Sequence, residues 1–243
     1  MLIIFCAYFI FGVSGFGASL VAVPLLVQLY PLTTVVPMMV LIDICASLYL
    51  GGKSSKEADK RELLWLFPFT LVGMVIGITL LISVPSEPLL ITLGIFAGAN
   101  GLRVLTKKKV DLRTPISKWW AMPFGFFGGI FTALFATGGA IYASYLDMRM
   151  RDPRMLRATM AFAILILTVM RFVFMLVSEL LLQLDIIVLA NSMLVPMILG
   201  LWAGSKVHSR LSGPNILRIY GGILLFSGTT LLLKEIPKLF SIS

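Results

Sequence analysis

Two short stretches of this 243-residue chain carry residues that can hold an anion without a lysine or a metal: "SGFGASLVAVP", Ser14 to Pro24, and "ATGGA", Ala136 to Ala140. Glycine, serine and proline are poor choices for a helix interior, yet both stretches sit in strongly apolar runs. If the chain turns there and a second half-helix begins, that helix starts with backbone N–H groups that have no intrahelical acceptor, at the positive end of the helix dipole. Such a terminus suits an oxyanion. The expected cradle is Gly17, Ala18 and Ser19 on one side and Thr137, Gly138 and Gly139 on the other, with Gly15 in the turn and hydroxyls from Ser14, Ser19 and Thr137. The plainer reading is that these small residues only permit tight packing.

Two ionisable residues lie within apolar spans, where charge is expensive and marks function by default. Arg171 is expected to attract or pair an anion, and Asp43 to carry a coupling proton or help bind a cation. Against this stand mutual pairing for Asp43 and snorkelling to the interface for Arg171. Asn100 and Ser227 are candidates to finish the anion shell, or else they hydrogen-bond between helices. Arg103 reads as a topology signal, and Tyr142 and Tyr145 as pathway lining or packing. His208 stands alone in a basic loop without zinc spacing, and Cys6 and Cys45 read as small buried hydrophobes. No catalytic residue, metal site or cofactor is expected. An intramembrane enzyme would need a nucleophile–base pair or metal cluster that the single His and two Cys are poorly placed to supply.

The elements that must position these residues follow from composition. Apolar residues make up 59% of the chain, charged residues 13%, and the mean hydropathy is +1.01, far above globular values. A backbone in lipid must satisfy itself, so helices or a closed barrel are required, and the long apolar runs lack two-residue alternation. An all-α polytopic membrane protein is expected. The opening residues lack a basic n-region and a cleavage site, and read as structure and not as a removable signal. The net charge of +9 lies in short loops and reads as topology, with the lipid bilayer and no nucleic acid as partner.

Six runs are long enough to span: 33–50, 63–82, 88–105, 157–177, 186–205 and 215–233. Two more, 2–30 and 119–148, would each exceed roughly 40 Å as straight helices. The basic loops decide how these two are used. "GGKSSKEADKRE" holds four Lys and Arg, "RVLTKKKVDLRTPISK" six, "DMRMRDPRMLR" four and "KVHSRLSGPN" two, whereas "SVPSEP" and "SELLLQLD" hold none. All the basic loops share the cytoplasmic side if 2–30 and 119–148 are hairpins that turn at their glycines and leave where they entered. The alternative is eight simple crossings, two of them long and kinked.

Self-comparison pairs Gly17 with Gly138, Ala18 with Gly139, Pro31 with Pro153, Pro68 with Pro196 and Gly101 with Gly228, at separations of 121 to 128 residues. Asn100 and Ser227 pair in the same register. The chain therefore divides into a first repeat (1–106), a basic cytoplasmic linker (107–118) and a second repeat (119–243). A hairpin and three crossings per repeat invert one repeat against the other, a form in which transporters bind substrate near the midplane where broken helices meet. The patterns "GMVIG", "GIFAG" and "GLWAG" are packing faces with no ligand role.

A glycine-rich segment followed by a proline near the start, with a weaker echo after a basic central loop, resembles the TauE/SafE sulfite exporter family over essentially the whole chain. That family's first segment usually reads G-x-G-G-G; here it reads "GFGAS", with the echo "ATGGA". The resemblance implies a permease of the bacterial inner membrane for sulfite, sulfoacetate or other sulfonates. No phosphate-binding G-x-x-x-x-G-K-[ST] motif is present, so energy would come from the membrane potential, the substrate gradient, or a coupling proton or sodium ion. An anion channel, or a membrane subunit of a larger complex, is the competing class.

Overall fold

The structure, a computed structural model, describes the chain except residues 16, 55–56, 107–114, 182, 209–213 and 242–243. Most of the expected linker therefore lies outside the described residues. The helices are α1 (Leu2–Ser14), α2 (Ala18–Leu26), α3 (Leu32–Ser54), α4 (Lys60–Ser83), α5 (Ser86–Thr106), α6 (Ala121–Phe135), α7 (Gly139–Arg149), α8 (Pro153–Val177), α9 (Leu184–His208) and α10 (Pro214–Ser241), with a 3₁₀ turn at Lys118–Trp120. No strand occurs among the described residues. Among the described residues, five helices are long and apolar enough to cross a membrane: Leu32–Tyr49, Lys60–Ser83, Ser86–Thr106, Arg154–Val177 and Leu184–Lys206. The sixth expected run, 215–233, lies within α10. Exposed apolar side chains such as Val72, Ile95, Val173, Val188 and Ile198 cover the outside, as a lipid-facing surface requires.

Both long stretches are broken at their glycines. α6 and α7 run back to back: the Ile116 N–H donates to Met148 O at 3.3 Å, so the chain leaves this pair where it entered. Gly128 leaves room for the Tyr142 ring, which a Cβ would approach to 2.6 Å. The first pair follows the same plan. Phe5, Phe9 and Gly12 of α1 track Gly200, Gly204 and Ser205 of α9 in the same direction. Gly17 and Gln28 track Tyr220 and Lys234 of α10, so α2 runs along α10 in its direction. α9 and α10 have 25 and 28 residues and are joined by five, a link of about 20 Å at most. They must therefore run in opposite senses, and so must α1 and α2.

Helix pairing crosses between the halves. α1 lies on α9, and α6 lies on α4 in the same parallel sense, through Gly125 and Gly129 against Leu66, Thr70 and Met74. α5 and α10 meet antiparallel, Gly94 and Gly101 facing Leu232 and Leu225. The three glycine patterns thus bring backbones together: a Cβ on Gly77 would stand 2.7 Å from Ile130 O, inside van der Waals contact. One end of the molecule gathers the starts of α4, α6 and α8 and the end of α7. Asp59 caps α4, accepting from the N–H groups of Arg61 (3.1 Å) and Glu62 (3.2 Å), and donates its own N–H to Thr159 of α8. Asp152 caps α8, accepting from Arg154 N–H at 2.9 Å, with Pro153 following. Arg149 Nε holds Glu62 at 2.6 Å, and exposed Trp65 and Trp119 meet edge to face nearby, as side chains at a membrane interface do.

His208 is the last described residue of α9 and not part of a loop; its side chain lies outside the described ones. Cys45 is exposed and Cys6 half-buried, correcting the expectation that both are buried. Cys45 lies on the outer face of α3, where lipid accepts an apolar thiol as readily as a core does.

Candidate functional site

The two breaks and the two intramembrane charges meet around one cavity. At the first break, Gly15 closes α1 in the left-handed region (φ 81°), its N–H donating to Phe11 O at 2.7 Å. Gly17 (φ 92°) then opens α2. The first bond into α2 runs from Val21 N–H to Gly17 O at 3.4 Å. The N–H groups of Ala18, Ser19 and Leu20 precede it, with no backbone acceptor among the described residues. At the second break Ala136 is left-handed (φ 61°), its N–H donating to Thr132 O, while the Thr137 N–H goes to Phe131 O at 3.2 Å. Ala140 donates to Thr137 O at 3.3 Å, which leaves the N–H groups of Gly138 and Gly139 ahead of the first turn of α7.

Asp43, midway along α3, faces the cavity with a full set of donors. Its Oδ1 accepts from the Tyr8 hydroxyl at 2.5 Å; its Oδ2 accepts from the Ser19 hydroxyl at 2.8 Å and from Arg171 Nη2 at 3.0 Å. Arg171 Nη1 reaches Thr132 O at 3.3 Å. Exposure is 2% for Arg171 and 9% for Asp43, so this is a buried pair, whose desolvation needs every lone pair and proton satisfied. One proton is not satisfied: Arg171 Nε has no partner among the described residues, and neither do Thr137 Oγ1 and the Tyr220 hydroxyl. Buried polar atoms without partners are few in native folds, and these three gather at one place. Arg171 and Thr137 line the cavity, and the Tyr220 hydroxyl stands behind Gly17, 2.7 Å from where a Cβ would be.

The cavity measures about 40 Å³, room for on the order of three water-sized groups. Its walls include Gly17, Ala18, Ser19, Thr137, Gly139 and the Asp43–Arg171 pair. An unpartnered guanidinium N–H can only donate, hydroxyls and helix-start amides donate as well, and the carboxylate already accepts three hydrogen bonds. The open groups on these walls can therefore donate to a hydrogen-bond acceptor.

Several expected residues lie elsewhere. The Ser14 hydroxyl donates to Ile10 O at 2.7 Å and the Ser19 hydroxyl to Asp43, so of the three hydroxyls only that of Thr137 is open. Gly15 spends its N–H on the helix end. Gly138 does not line the cavity but presses on Gly128 and Thr132. Asn100 bonds Phe96 O (2.8 Å) and Ser227 bonds Leu224 O (3.2 Å), each within its own helix. These two sit on α5 and α10 and do not line the cavity: matching two stretches of sequence paired them with each other and carried no information on their distance from it. Arg171 is paired inside and does not snorkel. Arg103 donates to Ser144 of α7, Tyr142 to Thr70 Oγ1 at 3.2 Å and Tyr145 to Glu62 at 2.7 Å, and none of the three lines the cavity. Sequence reasoning missed Tyr8, Tyr220, Thr132 and Thr168. The signal available was that a buried carboxylate needs donors, which directs attention to tyrosines in the neighbouring apolar runs.

No curated protein and no solved structure matches the chain. The model of the sulfite exporter TauE/SafE family matches residues 1–231, which takes in both helix breaks and every wall of the cavity, and the chain belongs to that family of membrane transporters.

Proposed function

We propose that this protein exports small sulfur-containing or organic anions, such as sulfite, sulfoacetate or other sulfonates, across a bacterial inner membrane by alternating access. The anion sits between the two helix breaks, held by the N–H groups that open α2 and α7, the Thr137 hydroxyl and Arg171. The observation that carries this reading is that two unpartnered buried polar groups, Arg171 Nε and Thr137 Oγ1, belong to residues lining one cavity, with a third, the Tyr220 hydroxyl, behind Gly17. The exchanged, same-sense docking of α1 on α9 and of α6 on α4 supports two inverted repeats that rock against each other. Asp43 carries the coupling ion, a proton or sodium. An anion moving outward without a compensating ion would gain about 2.3 kcal/mol per charge per 100 mV of inside-negative potential.

Purified protein in liposomes, assayed with labelled sulfite and a set of sulfonates, tests this directly. Saturable flux is expected, and Gly17→Leu and Gly138→Leu are expected to abolish it while the protein stays folded in the bilayer. Flux that rises linearly with concentration would indicate a channel, and normal transport in both variants would move the anion away from the breaks.

A further inference from the structure

The surroundings of Asp43 discriminate between the two coupling ions, given the anion site proposed above. A hard cation needs several oxygen acceptors. Asp43 is a poor ligand for it: both hydroxyls on the carboxylate, from Tyr8 and Ser19, point their hydrogens at it, and a positively charged guanidinium stands 3.0 Å away. The charged and titratable neighbours are few. Arg171 approaches from α8 and Tyr8 from α1, Cys45 lies on α3 itself near Tyr8, and α2 adds only the Ser19 hydroxyl.

Arg171 is engaged in a lopsided way. Nε–H and one Nη–H form the side-on edge of a guanidinium, the fork that grips an oxyanion with two parallel bonds. Here Nη2 is on Asp43 while Nε is empty and buried at the cavity. Asp43 thus occupies half of the fork an anion would use. Charge gives the same answer. The empty pair is neutral, an arriving monovalent anion would leave a net buried negative charge, and such a charge is costly in this setting.

We propose that the cavity takes up one proton, and no sodium ion, with each monovalent anion, the proton going to Asp43 as Arg171 passes from the carboxylate to the anion. The proton from water adds to Oδ2 and the Nη2–H···Oδ2 bond breaks. Nη2 and Nε then donate together to the anion. Tyr8 keeps donating to Oδ1, and the new carboxyl O–H donates to Ser19 Oγ, whose own hydrogen turns into the cavity. Release of the anion reverses each step, and the buried charge is zero throughout.

Calorimetric titration of purified protein with methanesulfonate, which does not titrate near neutral pH, tests this in two buffers of different ionisation heat. The wild type is expected to take up roughly one proton per anion bound, and replacing sodium by choline is expected to leave affinity unchanged. Asp43→Asn is expected to bind with no buffer-dependent heat. Binding by the wild type without proton uptake, or an affinity that falls when sodium is removed, overturns the proposal without touching the anion site, and the wild-type measurement needs no variant to fold. Failure to bind methanesulfonate and sulfite alike removes the anion site itself, and this inference with it.

Discussion

Gly17 and Gly138 occupy matched places at the two helix breaks, yet the chain needs glycine at each for a different reason. Gly17 has φ 92°, a backbone conformation that side chains oppose. Gly138 has φ −56° and ψ −22°, ordinary right-handed geometry open to any residue. There the obstacle is the neighbourhood, because a Cβ would strike Thr132 Oγ1 and the carbonyl oxygen of Gly128. The left-handed position of the second break is filled by Ala136 instead, at φ 61°. One break is made by backbone freedom and the other by the absence of a side chain, and both deliver helix-start amides to the same cavity. Positions that align between the two breaks therefore need not carry equivalent physics.

The largest expected effect tests this contrast directly. Gly138→Ala should cost about 1–3 kcal/mol through overpacking and stop sulfite uptake, and adding Thr132→Ala should not restore it, since the Gly128 carbonyl remains. Gly17→Ala should cost about 1–2 kcal/mol of left-handed strain, and adding Tyr220→Phe should recover part of the loss by removing the atom 2.7 Å from the new Cβ. Melting temperatures and uptake rates of the four variants would check it. Equal rescue of both glycines would erase the distinction.

A smaller effect separates open from spent hydroxyls. Thr137→Val should weaken anion binding by about five- to tenfold, the worth of about 1 kcal/mol, with the melting temperature unchanged. Ser19→Ala should instead lower the melting temperature, because Asp43 loses a donor inside the protein. Titration calorimetry and thermal melts on both variants read the two outcomes, and a Thr137→Val protein with full affinity would take that hydroxyl out of the site. The smallest effect is a gain: Ala136→Gly should stabilise the fold by about 1 kcal/mol by relieving the left-handed alanine, seen as a higher melting temperature, whereas a fall would mean that the methyl group packs usefully.

Much of this arrangement was legible before any coordinates. Helix breakers inside runs too long for one crossing located both turns, and the placement of Lys and Arg predicted that α6 and α7 leave where they enter, which the Ile116–Met148 bond bears out. Asp43 and Arg171 announced themselves by cost: they pair with each other, as the plainer reading of Asp43 had it, Arg171 does not snorkel, and its Nε has no partner among the described residues. What sequence could not supply was the partner list. Tyr8 and Tyr220 sit in apolar runs, where a tyrosine reads like any large hydrophobe, and only the fold brings them within reach of Asp43 and Gly17. Asn100 and Ser227 were matched by self-comparison alone, which aligns two stretches of sequence but does not say which face of a helix meets a ligand.

The crossed docking of the half-helices has a consequence for biogenesis. α1 leaves the ribosome long before the helix it lies along, α9, has been made. Until then Phe5 and Phe9 have lipid where Gly200 and Gly204 will later stand. Early release from the insertion machinery would strand a short apolar hairpin without its mate, so chains truncated before α9 should turn over quickly in the cell even when every segment they retain has been inserted.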